Sequence, residues 1–254
     1  MENIKVSIVT PSYNQGHFLK ETIESVLNQT YSNIEYIVVD GNSKDNSAEI
    51  LKSYQGRIDK IIIERDKGQS DAINKGFRLA TGEIVGWLNS DDVLHPYCVE
   101  DIVAAYRENP RAAIIYGSTI DFIDEHSHKV GKETINIPDK GFLVKKSSSV
   151  IQPGSFYNAA YLKKINFLDE SLHYCMDLDL WLRLLNEGDI VACRQRPLAL
   201  FRTYATNKSS TGAVKYSRER RKVLSEHGGT FFNETIFKSH WYDLKYRLGS
   251  IFKR

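Results

Sequence analysis

Apolar and polar positions along the first half of the chain alternate between two rhythms. Ile4–Thr10 is a β-branched run ending at Pro11, and it predicts a buried strand. His17–Gln29 places Phe18, Ile23, Val26 and Leu27 at helical spacing. Ile34–Asp40 predicts a second buried strand, left through the turn Gly41-Asn42-Ser43, and Asp45–Tyr54 a short helix with Ser43 as its N-cap. Ile58–Ile63 and Glu83–Leu88 predict strands on either side of a helix over Ser70–Ala80, in which Ala72, Ile73, Phe77 and Leu79 face inward. A helix over Tyr97–Arg107, closed by Asn109-Pro110, leads to a fifth strand, Ala112–Tyr116. Strand and helix in strict alternation predict an α/β fold, a mainly parallel sheet flanked by helices on both faces.

Beyond Gly117 the rhythm breaks. Residues 118–149 read as polar loops and short strands, Asp177–Glu187 as a helix, and Ile190–Phe201 as one or two more strands. C-terminal helices near Val214–His227 and Thr235–Phe252 complete the chain. No linker is evident, so one compact body is expected. Its natural divisions are 1–117, 118–211 and a helical extension, 212–254.

Composition narrows the function. With 34 Lys and Arg against 32 Asp and Glu, the net charge of +2 gives no electrostatic footprint for nucleic acid. The 3 cysteines show no metal-ligand spacing and fit free thiols in a reducing compartment. The first residues lack the pattern of a signal peptide, and the apolar runs fall short of the roughly 20 residues of a membrane span. The expectation is a cytoplasmic protein, at most resting on the inner face of a membrane. A surface contact is suggested by Phe237, Trp241, Leu244, Leu248, Ile251 and Phe252, which share one helical face bordered by basic residues.

Ligands of open parallel sheets bind outside the carboxyl ends of the strands. Four successive strand ends carry Pro11-Ser12-Tyr13-Asn14, Asp40, Arg65-Asp66-Lys67-Gly68 and Asn89-Ser90-Asp91-Asp92. The last is good turn chemistry, yet adjacent carboxylates at a buried edge also call for a cation or several donors. Hard oxygen ligands suit Mg²⁺ or Mn²⁺. Phosphate-cradling glycine motifs are absent, so a diphosphate would rest on a metal and on cations such as Arg65, Lys67 or Arg202. Gln152-Pro153-Gly154 is a turn sequence whose neighbours Ser155-Phe156-Tyr157 suit a sugar-facing wall. Asp177 and Asp179 open a helix, where carboxylates suit the positive end; Trp181 anchors that helix and would hold a carboxylate rigidly over a cleft.

Together these segments resemble the family 2 glycosyltransferases with the GT-A fold, over most of residues 4–211. The resemblance is carried by Val6-Ser7-Ile8-Val9-Thr10-Pro11-Ser12-Tyr13-Asn14, by Val39-Asp40-Gly41, by Asp71-Ala72 with Asn74 and Gly76, by Asn89-Ser90-Asp91-Asp92, and by Met176-Asp177-Leu178-Asp179-Leu180-Trp181. It implies a nucleotide-diphospho-sugar-binding sheet in which Pro11, Tyr13 and Asp40 hold the nucleoside and Lys67 and Asp71 flank diphosphate and sugar. It further implies that Asp91 contacts ribose or sugar, Asp92 binds the divalent metal, and Asp177 is the catalytic base. Gln152, Trp181 and Arg202 complete the substrate-binding set. Asn89, Met176 and Tyr204 depart from residues common in the family, which has Asp, Glu and His at or near these places.

The expected activity is inverting sugar transfer from a UDP-type donor to an acceptor hydroxyl, for instance on a lipid-linked glycan, in surface polysaccharide assembly. A nucleotidyltransferase would need a basic glycine-rich loop after the first strand, which Pro11–Gly16 lacks. A non-catalytic sugar-binding module would have no use for both acidic motifs, and a processive synthase would need membrane spans.

Overall fold

The computed structural model describes residues 3–147, 149–208 and 213–241. Strands β1 (Val6–Ser12), β2 (Ile34–Asp40), β3 (Lys60–Ile63) and β4 (Ile84–Trp87) alternate with helices α1 (Gly16–Leu27), α2 (Ser47–Ser53) and α3 (Gln69–Leu79). The short strand β5 (Val93–Leu94), helix α4 (Cys98–Glu108) and strands β6 (Ala112–Gly117), β7 (Thr119–Ile123) and β8 (Lys129–Thr134) come next. Then come α5 (Lys140–Lys145), β9 (Ser155–Asn158), α6 (Ala159–Lys164), α7 (Met176–Leu184), β10 (Asp189–Cys193) and β11 (Ala199–Arg202). Helix α8 (Ala213–Glu226) and a helical segment over residues 234–241 close the described chain.

Seven strands form the main sheet in the order β10-β6-β9-β4-β1-β2-β3. Strand β1 pairs in parallel with β2 and β4, β2 with β3, and β10 with β6. All seven residues of β1 are buried, as a central strand covered on both faces must be. Helix α3 lies so close to β1 that a Cβ on Gly76 would stand 2.3 Å from Val9 Cγ1. In the last turn of that helix Leu79 remains 43% exposed, against the expectation that it faces inward. Helix α2 starts later than Ser43, with Asn46 in the capping position, because the Ser43 hydroxyl is donated to Asp40 instead.

The sheet is not uniformly parallel. Strand β9 inserts antiparallel between β4 and β6. A second sheet, β5-β11-β7-β8, ties the turn after β4 to the end of β11. Among the described residues no helix is long and apolar enough to cross a membrane. In the segment 234–241, Ile236 and Ser239 are buried while Phe237 and Trp241 are exposed. Leu244, Leu248, Ile251 and Phe252 of the expected amphipathic face lie outside the described residues.

Candidate active site

The chain crosses from β3 back over β1 to β4, so the strand order reverses between β1 and β4. Beyond the carboxyl ends of these strands opens a cavity of about 630 Å³. Pro11, Tyr13, Asp91, Gln152 and Asp177 all contribute to its wall. Five of the sequence-predicted residues, from both halves of the chain, thus meet at one place.

The turn after β4 separates its two aspartates. The Asp92 amide donates to the Asn89 carbonyl at 3.1 Å, and this turn swings the Asp92 side chain inward, where it is 1% exposed. Its Oδ1 accepts from the Arg202 amide at 3.0 Å and its Oδ2 from Asn89 Nδ2 at 3.1 Å. Asp92 is therefore a joint between β4 and β11 and does not line the cavity; Asp91 does. Asp91 Oδ2 accepts the Tyr204 hydroxyl at 2.8 Å, and Gln15 Nε2 donates to the same hydroxyl at 3.1 Å. Burial raises the pKa of both aspartates, and the neighbouring Asp91 charge pushes Asp92 further. Among the described residues no three His, Cys, Asp or Glu side chains form a metal cage. The donor chemistry of this end of the wall, carboxylate and amide oxygens, is that of a site for a hard cation and not a soft one.

Arg202 is also removed from the ligand-facing set. Its guanidinium is wholly buried, donating to the Asp91 carbonyl at 2.8 Å, the Asp124 carbonyl at 3.0 Å, Ser127 Oγ at 2.9 Å and Glu21 Oε2 at 2.6 Å. With each of its three nitrogens donating and the Phe18 ring 4.5 Å away, it clamps α1, the β7–β8 turn and the Asp91 loop together. Lys208, located after β11, carries the fixed positive charge among the described residues of the cavity wall, and its Nζ donates to Gln69 Oε1 at 2.8 Å. Sequence reasoning missed Lys208, although reading the residues beyond each strand end, extended to β11, leads to it.

On the other side of the mouth Tyr13 presents an open ring, 59% exposed, above the end of β1. Asp40 is wholly buried beneath this loop. Its carboxylate accepts Ser12 Oγ at 3.0 Å, the Ser43 amide at 2.8 Å and Ser43 Oγ at 2.7 Å, so it shapes the loop and leaves the cavity wall to Tyr13 and Asp66. Gly41 makes room for this pair, since a Cβ there would stand 2.4 Å from Asp66 Oδ2 and 3.1 Å from Tyr13 Cδ2. Lys67 is exposed on the loop whose neighbours Asp66 and Gly68 line the cavity. Asp71 is buried with its carboxylate turned back to the Lys67 amide at 2.9 Å and to Lys75 at 3.5 Å; both Lys67 and Asp71 stand outside the wall itself. Gln152 Nε2 donates to the Trp87 carbonyl at 2.8 Å, and its Oε1 accepts Asn89 Nδ2 at 3.1 Å.

Helix α7 brings one of its acids to the cavity. Asp177 sits in the wall, its Oδ1 accepting the Leu178 amide at 2.8 Å. Burial lifts its pKa from 3.8 to about 6, against the pull of the nearby Lys208. Asp179 turns the other way, accepting Arg183 Nε at 2.7 Å and meeting Nε2 of His227, just beyond α8, at 3.3 Å. Its pKa is lowered by these partners in spite of burial. Trp181 is 0% exposed, packed on the Tyr116 ring and donating Nε1 to Tyr157 Oη at 3.3 Å. It anchors the helix from beneath and, contrary to expectation, offers no surface to a ligand.

Comparison with known proteins places this geometry. Residues 7–167 match the family model described as Glycosyl transferase family 2. An uncharacterised glycosyltransferase of Nostoc sp. is 28% identical over 233 residues, covering 86% of this chain and 71% of its own. One from Rickettsia typhi is 33% identical over 195 residues, covering 73% and 60%. The chain thus spans 60–71% of the lengths of these two relatives. Among solved structures, residues 1–349 of Staphylococcus aureus TarS in complex with UDP-GlcNAc superpose with a TM-score of 0.71 at 18% identity, over 88% of this chain and 66% of that one. The mannosyltransferase PcManGT of Pyrobaculum calidifontis, in complex with GDP-Man and Mn²⁺, gives 0.64 at 15% identity, over 89% and 64%. At these identities the likeness is one of fold.

Proposed function

The chain belongs to glycosyl transferase family 2, and we propose that it transfers a sugar from a nucleoside diphosphate sugar to an acceptor hydroxyl with inversion at the anomeric carbon. One observation carries the reading: the carboxylates of Asp91 and Asp177 face a single cavity at the carboxyl ends of β1 and β4. Tyr13 and Asp66 frame the nucleoside end, where an open ring can stack on a flat base. Asp91 stands by the diphosphate in the middle of the donor, and Gln152 borders the sugar beyond it. Solved relatives of this fold bind UDP-GlcNAc, UDP, and GDP-Man with Mn²⁺, which supports a UDP- or GDP-type donor and a divalent metal here.

Asp177 accepts the proton of the acceptor hydroxyl as that oxygen bonds to the anomeric carbon. The bond from that carbon to the diphosphate oxygen breaks in the same displacement, and its electron pair leaves with the diphosphate. Asp91 would hold a divalent Mn²⁺ or Mg²⁺, which would supply Lewis-acid compensation of that charge. Lys208 adds a positive charge to the same cavity. General-base assistance contributes about 10²–10⁴-fold in such reactions, and fixed orientation much of the rest.

A thermal-shift screen of UDP- and GDP-sugars with Mn²⁺, followed by nucleoside diphosphate release in the presence of acceptors, tests the reading. Stabilisation by a nucleotide sugar that depends on Asp91 supports it, and no response to any of them refutes it. A lipid-linked glycan acceptor and a role in surface polysaccharide assembly extend the proposal. They draw support from the aromatic patch formed by Phe231, Phe232, Phe237 and Trp241, with Phe232 94% exposed. Replacing Phe232 and Phe237 by Ser should reduce flotation of the protein with anionic vesicles; unchanged flotation would separate the patch from any membrane contact.

A further inference from the structure

The helix that presents Asp177 lacks a side-chain cap of its own: Cys175 stands at its N-cap and gives no capping hydrogen bond. Three consecutive amides ahead of the helix converge instead on one carboxylate from another element. Glu219 of α8 accepts the His173 amide at 3.0 Å on each oxygen, the Tyr174 amide at 2.5 Å and the Cys175 amide at 2.7 Å. Such a concave run of N–H groups is an anion-binding nest, filled here by the protein's own carboxylate. The nest ends two residues before Asp177, and His173, Tyr174 and Met176 line the same cavity as Asp177. Glu219 lies outside the region matched by the family model, residues 7–167.

We infer that Glu219 is the positioning residue for the base, locking the turn from which Asp177 enters the cavity. This rests on the reading of Asp177 as the base. The turn after α8 holds α7 at a second point, His227 against Asp179 at 3.3 Å, but that contact lies on the side of α7 turned away from the cavity. The two contacts therefore have different consequences. Loss of the His227 contact loosens the packing of the two helices. Loss of the Glu219 contact frees the segment that sets where Asp177 points, and it leaves three amides without their acceptor.

Electrostatics supports the same assignment. Among the described residues, the charges that act most on the Asp177 proton are those of Lys208, after β11, and Glu219, on α8; Asp91 lies on the same cavity wall. Tyr157 on β9, Cys175 ahead of α7 and Tyr216 on α8 are neutral neighbours, each raised by burial, Tyr216 to about 12. His173 is pulled down by burial and by Lys208. Glu219 thus adds a negative charge that holds the Asp177 proton more tightly, in opposition to Lys208. Neutralising it lowers the basicity of Asp177, and the amides it releases favour the Asp177 anion further.

The test compares Glu219→Gln, Glu219→Ala, His227→Gln and Asp177→Asn in the full chain, measuring transfer across about pH 5 to 9 together with thermal stability. Glu219→Gln should lower kcat by roughly ten- to hundredfold, with the KM for donor little changed, as misplacement of a reacting group does. Its acid limb should move to lower pH, and Glu219→Ala should show the same in greater degree. His227→Gln should lower thermal stability and leave the acid limb where it is. If Glu219→Ala fails to fold, Glu219→Gln, which keeps one acceptor oxygen, carries the test. The inference is overturned if both Glu219 variants keep wild-type kcat and acid limb, or if His227→Gln shifts the limb equally. An inactive Asp177→Asn beside normal Glu219 variants refutes the positioning role alone, whereas a fully active Asp177→Asn refutes the base reading beneath it.

Discussion

Replacing Asp177 with Asn should cost the protein its activity, by removing the proposed base, and increase its stability, by removing a buried charge. The carboxyl is held in the cavity wall with a pKa raised from 3.8 to about 6, chiefly by burial. Keeping it ionised well above that pH costs the folded state up to about 3 kcal/mol, at 1.36 kcal/mol per pKa unit. Asn has nearly the same shape and can still accept the Leu178 amide through its side-chain oxygen, but carries no charge to desolvate. At pH 8 the variant should be more stable by about 1–3 kcal/mol, a rise in Tm of roughly 2–4 °C per kcal/mol for a chain near this size. The sign reverses the usual case for a carboxylate. The folded state binds this proton more tightly than the unfolded chain does, so the deficit is complete above about pH 6, shrinks as pH falls through 6, and is gone below 3.8. Urea unfolding of both proteins at pH 8 and near pH 4 should show the advantage at the first and none at the second. Transfer by the wild type should fall as pH drops through about 6, and the variant should lose roughly 10²-fold or more throughout. An equal or lower stability of Asp177→Asn at pH 8 would refute the argument, as would an advantage that persists at pH 4.

Three other substitutions separate chemistry from architecture. Asp91→Asn should abolish the dependence of donor binding on Mn²⁺ with little change in unfolding free energy, whereas Asp92→Ala should cost about 1–3 kcal/mol by stranding the Arg202 amide; isothermal titration with UDP and urea unfolding distinguish the two, and the opposite pattern would return the metal to Asp92. Arg202→Met should destabilise by about 1–3 kcal/mol because it leaves the Asp91 and Asp124 carbonyls without their donor, and its donor affinity, measured on folded protein, should stay near wild type. Gly76→Ala should lower the urea midpoint by the equivalent of about 1–3 kcal/mol, because its Cβ would stand 2.3 Å from the stiff side chain of Val9; an unchanged midpoint would mean that α3 can lift off β1 without cost.

The residues that the sequence places correctly and those it misplaces differ in how far away their partners lie. Strands buried on both faces write themselves as continuous apolar runs, so Ile34–Asp40 is delimited without reference to anything else in the chain. Strand β5 has two residues, too few to show any period, and the insertion of β9 between β4 and β6 depends on pairings across 72 and 41 residues that no local pattern records. The site divides along the same line. Strand ends announce the cavity because the switch point is a property of topology, and Pro11, Tyr13, Asp91 and Gln152 line it. Which of two adjacent aspartates faces the ligand is set by a single turn hydrogen bond to Asn89 and by a backbone amide 110 residues away. Arg202 reads as a ligand-binding residue for the same reason: its position after a strand is visible in sequence, while its partner Glu21 is 181 residues distant. Charge at a strand end is therefore informative about where a site lies and poorly informative about which side chain serves it. A buried donor or acceptor must be satisfied, and where distant elements draw the whole side chain away from the cavity, as they do for Asp92 and Arg202, the residue serves the architecture. On that ground the proposal gives the substrate to Asp91 and Asp177, which line the cavity, and the scaffold to Asp40, Asp92, Asp179 and Arg202, whose side chains turn away from it.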